Sequence, residues 1–374
     1  MPGIRLNSLS SLRFLAASAV VIYHLLPGWV GVNYLLWPRM LLNLLGLACV
    51  GLPFFYALSG FVLYYVYRED PPRERKKLFL FWVKRFARIA PTFYLSLLLG
   101  IWPFLQELIA AHGTGPGLVR TALYLIANLF FLSAWLPFTL NFNFPTWSIS
   151  VEIFCYLLFP FLLQRAARLS RAETWFGLAC AYFTGAVIQG GAVLIWPELA
   201  HWPYEPGNLS SNLTNFLQLN PLVHLPEFLF GVLLGRLWHL QKGERPRGDA
   251  CLLGGIVLLI LFLETGIRWP FLMLTSFLFL PLEALLLWGG AGRRGALTEW
   301  LERPRVVLLG ESTYAMYVLH VPLGIWWAKL VGTGSPYWSF LGYFAMLCLV
   351  SVMLHLYFEV PLRTRLVRIF EERK

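Results

Sequence analysis

Long apolar stretches recur along almost the whole chain, separated by short polar segments. A transmembrane helix needs about 20 predominantly apolar residues to cross a hydrocarbon core roughly 30 Å thick. Backbone polar groups in such a core must be satisfied internally, which favours helices. The pattern therefore predicts an all-α integral membrane protein, with candidate spans at 9–27, 43–67, 89–110, 119–136, 147–163, 175–195, 221–240, 251–267, 270–289, 306–328 and 338–358.

The distribution of lysine and arginine decides which of these segments cross. Basic residues are concentrated in five segments, 68–88, 165–171, 242–247, 293–305 and 363–374. Short basic loops remain on the cytoplasmic side, and all five do so only if the segment 119–136 does not cross. We therefore predict about ten transmembrane helices, cytoplasmic N- and C-termini, and one re-entrant or interfacial helix near 119–136.

Composition agrees with this interpretation and narrows the function classes. The 374 residues are 58% hydrophobic and 13% charged, and we expect one polytopic domain over 1–374 without an appended soluble domain. The formal net charge of +11 is explained by basic loops, so no nucleic-acid partner is expected. The five cysteines stand singly, so neither a metal site nor a disulfide framework is indicated.

Ionisable residues inside membrane spans are costly and are candidates for function. Arg13 and His24 lie eleven residues apart on the first span. That spacing is about three helical turns, which puts both on one face, roughly 16 Å apart along the axis. Arg13 falls near the cytoplasmic end and His24 near the outer end. The alternative is that Arg13 extends to lipid phosphates and His24 is an interfacial histidine.

A carboxylate is expected at a depth similar to that of His24. Glu152 follows Trp147 and Ser148 at the start of a span that enters from the outer side. A carboxylate bonded to one imidazole nitrogen fixes the tautomer and raises the basicity of the other nitrogen. This predicts a catalytic pair of His24 and Glu152. Alternatively, Glu152 bonds a neighbouring helix or stabilises its own helix N-terminus.

Two further groups of polar residues are candidates. His320, His224 and Glu227 fall in the outer halves of spans, where they form either a polar cavity open to the outside or ordinary contacts between helices. Arg85 and Arg88 lie at i and i+3 before the third span, and with Arg13 they would form a cationic mouth for a phosphorylated ligand. Ordinary anchoring by basic residues is the alternative.

Seven sequence motifs resemble those of the acyltransferase family 3 membrane proteins, in the family's order and over nearly the whole chain. One departure is Asn7-Ser8, where members often have Asp-Gly. The motifs are Arg13 with Tyr23-His24, Phe55-Tyr-Ala-Leu-Ser-Gly-Phe61, Arg85-Phe-Ala-Arg88, Trp147-Ser-Ile-Ser-Val-Glu152, Pro226-Glu-Phe-Leu-Phe-Gly231, Ser312-Thr-Tyr-Ala-Met-Tyr-Val-Leu-His320 and Glu359-Val-Pro-Leu-Arg363.

The resemblance implies transfer of an acyl group, usually acetyl, from cytoplasmic acyl-CoA to a hydroxyl of a cell-surface carbohydrate, lipid-linked sugar or related acceptor. It implies that His24 is the general base or the nucleophile, with a bacterial inner membrane as the location. Arg13, Arg85 and Arg88 would hold the CoA phosphates. Other motif residues are assigned to the substrate cavity: Ser59, Trp147, Ser148, Glu227, Tyr317 and His320. A transporter or flippase for a sugar or lipid is the alternative function, although no inverted repeat is visible.

Overall fold

The computed structural model describes residues 6–30, 48–136, 142–196, 216–241, 246–265 and 270–372. Within these ranges the chain is helical apart from turns and one isolated backbone bridge between Arg247 and Arg293. The predicted all-α class is therefore confirmed.

The helices are numbered in chain order. They are α1 Asn7–Val30, α2 Ala48–Tyr67, α3 Arg75–His112, α4 Thr114–Leu129, α5 Trp147–Ala166, α6 Arg171–Gly185, α7 Pro221–Leu240, α8 Gly248–Glu264, α9 Leu280–Ala291, α10 Ala296–Leu301, α11 Pro304–Glu311, α12 Thr313–Leu330, α13 Pro336–Leu354 and α14 Val360–Glu371. A π-helical turn, Ala186–Gly190, continues α6 into the short helix Gly191–Ile195, and a second one, His355–Glu359, joins α13 to α14.

Six stretches of the described chain are long and apolar enough to cross a membrane: α1, α3, Phe144–Ala166, Arg171–Ile195, Phe216–Leu240 and Pro336–Glu371. The pair α11 and α12 passes the same test together but is bent by 56°. Gly51–Tyr67, Gly248–Phe262 and Phe277–Ala291 are shorter apolar helices. These helices fit a multi-pass membrane protein, whereas the count of ten spans and the position of the termini stay predictions.

The segment 119–136 differs in detail from its prediction. Its helix, α4, begins five residues earlier at Thr114, directly after Gly113, whose positive φ of 82° allows a sharp turn from α3. The Tyr94 hydroxyl donates to the Leu129 carbonyl at 3.0 Å, and Phe104 packs on Tyr124, so α4 runs back along α3. With 16 residues, α4 is shorter than the helices counted as spans. Its placement in the membrane stays a prediction.

Two predicted continuous spans are interrupted in the structure. The segment 270–289 contains the short helix Phe271–Leu274 and the 3-10 turn Phe277–Phe279 before α9 begins. The segment 306–328 bends at Ser312, between α11 and α12. Polar residues lie at both breaks, Thr275 and Ser276 at the first and Glu311, Ser312 and Thr313 at the second, but the average hydropathy of each segment did not reveal them.

The closest helix crossing joins α2 to α7. The Cβ that a larger residue would place at Gly231 overlaps the carbonyl oxygen of Ala57, so the two backbones touch there. Small residues at such crossings permit close packing between transmembrane helices. This crossing holds α2 against the centre of the bundle and thereby positions one wall of the site described below.

We expect Gly231→Ala to lower the thermal unfolding temperature of the detergent-solubilised protein. Overpacking against a backbone atom typically costs about 1–3 kcal/mol. Gly28→Ala is the matched control, because a Cβ at position 28 has no heavy atom within 4 Å. Equal unfolding temperatures for the two variants would contradict the packing at this crossing.

Candidate active site

Two histidines from different helices form the centre of the site. Nδ1 of His24, on α1, lies 2.9 Å from Nε2 of His320, on α12. The two rings are stacked, with centroids 5.1 Å apart and an interplanar angle of 11°. His320 is fully buried and His24 is partly buried. Neither ring has a carboxylate among the hydrogen-bond partners in the described chain.

The other nitrogen of His320 fixes the direction of this hydrogen bond. Nδ1 of His320 lies 2.6 Å from the Tyr317 carbonyl oxygen, so Nδ1 must carry the proton and donate it. In a neutral imidazole, Nε2 of His320 is then an acceptor, and it accepts a hydrogen bond from the N–H group at Nδ1 of His24. The remaining nitrogen of His24, Nε2, consequently has a free lone pair. The arrangement leaves His24 in the tautomer of a base.

The start of α5 and the 3-10 turn before it support the histidine pair. The Asn143 amide donates to the Val318 carbonyl, which ties the turn to α12. The Ser148 hydroxyl lies 2.9 Å from the Tyr317 hydroxyl, and both hydroxyls reach the Pro145 carbonyl. The Phe144 ring packs edge-on against His24 at 6.2 Å. The Tyr343 hydroxyl, from α13, donates to the His320 carbonyl. These contacts hold α12 in register with α1.

A narrow cavity of about 100 Å³, here called the inner cavity, extends from the Ser148–Tyr317 hydrogen bond to three arginines. The arginines are Arg13 on α1 and Arg85 and Arg88 on α3. No carboxylate of the described chain lies within 4.0 Å of their guanidinium nitrogens, since none of the ion pairs involves them. In addition, Nε of Arg85 is buried without a hydrogen-bond partner in those residues. Glu152 and Glu311 also line this cavity, but three arginines outnumber them, and guanidinium groups without a direct ion pair suit an anionic ligand.

The structure does not bring Glu152 to His24. Glu152 instead accepts a hydrogen bond from the Tyr156 hydroxyl and lines the inner cavity with Arg13 and Arg88. The reason is geometric. The beginning of α5, at Trp147, follows the turn that touches His24, so Glu152 lies about 7.5 Å further along the axis, towards the arginines. The structure therefore does not place Glu152 as the carboxylate that orients His24. His320 is the hydrogen-bond partner of His24 instead.

The predicted outer cavity is divided into two separate groups. His320 bonds His24, whereas His224 Nδ1 forms an ion pair of 2.8 Å with Glu227 on the same helix. Trp147 packs on the His224 ring at 5.5 Å, and Glu227 is only 1% exposed. Glu227 and Trp147 therefore belong to helix packing around His224. Ser59, by contrast, lines the inner cavity and donates to the Tyr156 hydroxyl at 3.3 Å.

Sequence reasoning missed a third group next to the arginines. Nδ1 of His355 lies 3.0 Å from Glu359, and the Thr92 hydroxyl donates to the same carboxylate at 2.7 Å. His355 and Glu359 bound a side cavity of about 270 Å³ that is also lined by Arg13 and Arg88. Glu359 begins one of the sequence motifs, which was the available signal; in the structure both residues lie in the π-helical turn between α13 and α14, and such turns are frequent at functional sites.

The fold and this site define a class: a multi-pass helical membrane protein with a histidine pair beyond an arginine-lined cavity. The family model described as "Acyltransferase domain" matches residues 6–356. The chain therefore belongs to this acyltransferase family and is an enzyme that transfers acyl groups.

Similar curated proteins have related names. Acyltransferase MdmB of Streptomyces mycarofaciens is 25% identical over 345 residues, which cover 90% of this chain and 84% of the relative. Putative peptidoglycan O-acetyltransferase YrhL of Bacillus subtilis is 24% identical, over 98% of this chain and 56% of its own length. O-acetyltransferase OatA of Staphylococcus aureus is 22% identical, over 96% and 57%. The chain thus spans little more than half of the last two proteins. No solved structure was found to match it.

Proposed function

We propose that the protein is a membrane O-acyltransferase that moves an acetyl group from acetyl-CoA to a hydroxyl of a glycan or lipid-linked sugar. The observation that carries this proposal is the direction of the hydrogen bonds from His24 through His320 to the Tyr317 carbonyl. It leaves the lone pair of His24 Nε2 free to accept a proton. Membership of the acyltransferase family favours catalysis over transport as the role of this base.

The positive charges of the arginine cluster favour acyl-CoA as the acyl donor. Arginine forks bind phosphate through two parallel hydrogen bonds, and Arg13, Arg85 and Arg88 lack carboxylate partners in the described chain. The inner cavity runs from the arginines to Ser148 and Tyr317, a course that an extended arm could follow. Its far end, at Tyr317, is one helical turn from His320. The phosphates would therefore bind at the arginines while the thioester reaches towards His24.

The reaction then needs one base. His24 Nε2 takes the proton of the acceptor hydroxyl as its oxygen attacks the thioester carbonyl. The new C–O bond forms, the C–S bond breaks, and the proton passes from His24 to the departing CoA sulfur. The Nδ1 proton of His24 stays hydrogen-bonded to His320 throughout the reaction. This hydrogen bond stabilises the imidazolium that exists after His24 takes the hydroxyl proton and before it releases that proton to the sulfur. The products are an ester and CoA thiol.

The same lone pair also serves a route through an acyl-imidazole, in which His24 attacks the thioester first. The two routes differ in whether an acetylated enzyme forms when no acceptor is present. We expect no acetylated enzyme when the purified protein is mixed with radiolabelled acetyl-CoA alone and quenched rapidly. Stoichiometric label on His24 would replace the base mechanism by the nucleophilic one and leave the overall reaction unchanged.

The distribution of basic residues indicates which end of the helix bundle would face the cytoplasm. The end of the bundle that carries Lys84, Arg85 and Arg88, here called the basic end, would face the cytoplasm, where acyl-CoA is made. Ten spans would result if the six long apolar stretches, the bent pair and the three shorter apolar helices all cross the membrane. We infer a bacterial inner membrane and an acceptor met beyond the His24 end. The names of YrhL and OatA support O-acetylation, and that of YrhL a glycan acceptor.

The proposal is tested with purified protein in detergent or nanodiscs, by following release of CoA thiol from acetyl-CoA. Fractionated envelope glycans and lipids serve as acceptors, and mass spectrometry identifies the product by its added acetyl group. Acetyl-CoA-dependent acetylation of one fraction is the expected result. Absence of transfer to any fraction, by protein that remains folded, would overturn the proposal.

We expect Arg88→Gln to raise the KM for acetyl-CoA by about tenfold or more, because a charge-assisted contact to phosphate contributes about 1.5–3 kcal/mol. The kcat at saturating donor should change less, since Arg88 lies away from the reacting carbonyl. Arg168→Gln is the control: Arg168 is exposed and lines none of the cavities described above. A KM unaltered by Arg88→Gln would contradict the assignment of the donor phosphates.

A further inference from the structure

A second basic cavity adjoins the inner cavity at the basic end. This cavity, here called the vestibule, has a volume of about 410 Å³ and lies between α3 and α14. Five cationic side chains and one carboxylate line it: Lys84, Arg85, Arg88, Arg363, Arg368 and Glu371. The sequence motifs drew attention to Arg85, Arg88 and Arg363, whereas the contribution of α14 as a wall became visible only in the structure.

The charges of the vestibule are unbalanced. Lys84 Nζ pairs with Glu371 at 3.0 Å, which uses the one carboxylate. The four guanidinium groups that remain have no carboxylate within 4.0 Å in the part of the chain that the structure describes, although Glu311 and Glu359 share the neighbouring side cavity with Arg88 and Arg363. Four neighbouring cations repel one another, and a polyanionic ligand relieves that repulsion. The vestibule therefore suits a ligand with more than one phosphate.

Helix α14 is packed against α3, which fixes the backbone positions of its arginines. Phe370 packs on Phe79 of α3, with ring centroids 5.8 Å apart, and the pair of Lys84 and Glu371 joins the same two helices. The Thr364 hydroxyl is used within the helix, donating to the Val360 carbonyl at 2.8 Å. Arg363 and Arg368 are exposed, while Arg85 and Arg88 are partly buried. The vestibule thus has an outer pair and an inner pair of arginines.

The inner cavity and the vestibule share Arg85 and Arg88, so one ligand can occupy both. This inference rests on the proposed function, in which CoA is the donor. In CoA the diphosphate separates the thioester arm from the ribose that carries the 3′-phosphate. With the arm in the narrow inner cavity, the diphosphate meets the inner pair of arginines. The 3′-phosphate must then lie further out.

We propose that Arg363 and Arg368 of α14 form the subsite for the 3′-phosphate of the acyl donor. This subsite makes the enzyme selective for CoA over carriers that share its arm but lack that phosphate. The phosphate of an anionic lipid could be recognised by the same arginines and is therefore a competing occupant of this subsite.

The test compares acetyl-CoA with acetyl-3′-dephospho-CoA as donors. The wild-type protein, in nanodiscs of phosphatidylcholine alone, should prefer acetyl-CoA in kcat/KM by on the order of tenfold, as expected for charge-assisted contacts to one phosphate. In the double variant Arg363→Gln/Arg368→Gln, kcat/KM for acetyl-CoA should fall to that for the dephospho donor. Arg365 lies on the same helix but does not line the vestibule. The control variant Arg365→Gln should therefore keep the preference for acetyl-CoA.

Each contrary outcome has a distinct meaning. Equal use of both donors by the wild type, or an equal loss for both donors in the double variant, would overturn the subsite. If the double variant keeps the donor preference but loses a dependence on added phosphatidylglycerol, the arginines bind lipid and the subsite is again overturned. Loss of preference in Arg365→Gln would show a general effect of charge instead. No transfer from either donor by the wild type would remove the proposed function, and the subsite with it.

Discussion

His24→Ala is expected to abolish most acyl transfer, lowering kcat by about 10²- to 10⁴-fold, the range that a positioned general base contributes. The loss should fall on kcat, because Arg13, one of the arginines that would hold the donor, lies about 16 Å away along α1. The KM for acetyl-CoA should therefore change little. Release of CoA thiol in the presence of acceptor measures both quantities.

The control for this variant is His112→Ala, which removes an exposed imidazole at the end of α3. Both variants should elute as the same species in size-exclusion chromatography and unfold at similar temperatures. Imidazole added to the solution should restore part of the activity of His24→Ala alone, because the missing group is a base. Wild-type kcat in His24→Ala would remove His24 from the mechanism.

Part of this site could be predicted from the sequence because it depends on spacing within single helices. The spacing of eleven positions from Arg13 to His24 puts both on one face of a helix, and α1 contains both. Arg85 and Arg88 are one helical turn apart, and the structure places them with Arg13 at one cavity. Such local periodicity is readable without knowledge of which helices are neighbours.

Contacts between helices could not be predicted in the same way. The pairing of His24 with Glu152 assumed that similar depth implies contact, whereas the partner of His24 comes from α12, 296 positions further along the chain. Depth is set by the ends of helices, and a shift of five residues moves a side chain about 7.5 Å along the axis. That shift separates Glu152 from the histidine and brings it to the arginines.

The breaks in the helices were equally hidden. The bend at Ser312 separates α11 from α12, and the π-helical turn His355–Glu359 lies within one continuous stretch, Pro336–Glu371; both lie in segments of apolar average composition. Hydropathy measures transfer into lipid and carries no information about local hydrogen bonding of the backbone. The bend matters for the proposed site, because it sets the direction of α12 and thereby the position of His320.

His320→Leu is expected to lower kcat by about 10²-fold, the cost typical of a misplaced reacting group. Leucine has no acceptor for the His24 Nδ1 proton, so the imidazole of His24 is free to rotate and to change its tautomer. His320→Gln should retain more activity than His320→Leu, because the glutamine side-chain oxygen can still accept that proton. The KM for acetyl-CoA should remain within about twofold in both variants, since the arginine site is separate.

The comparison of leucine with glutamine distinguishes positioning from packing. His320 is fully buried, so both substitutions disturb the same volume, but only glutamine preserves a hydrogen-bond acceptor near the position of Nε2. Equal activity of the two variants at equal thermal stability would show that His320 acts through packing alone. In that case the Tyr317 carbonyl would no longer control the tautomer of His24. A larger loss in leucine than in glutamine assigns the tautomer of His24 to the hydrogen bond that it donates to His320.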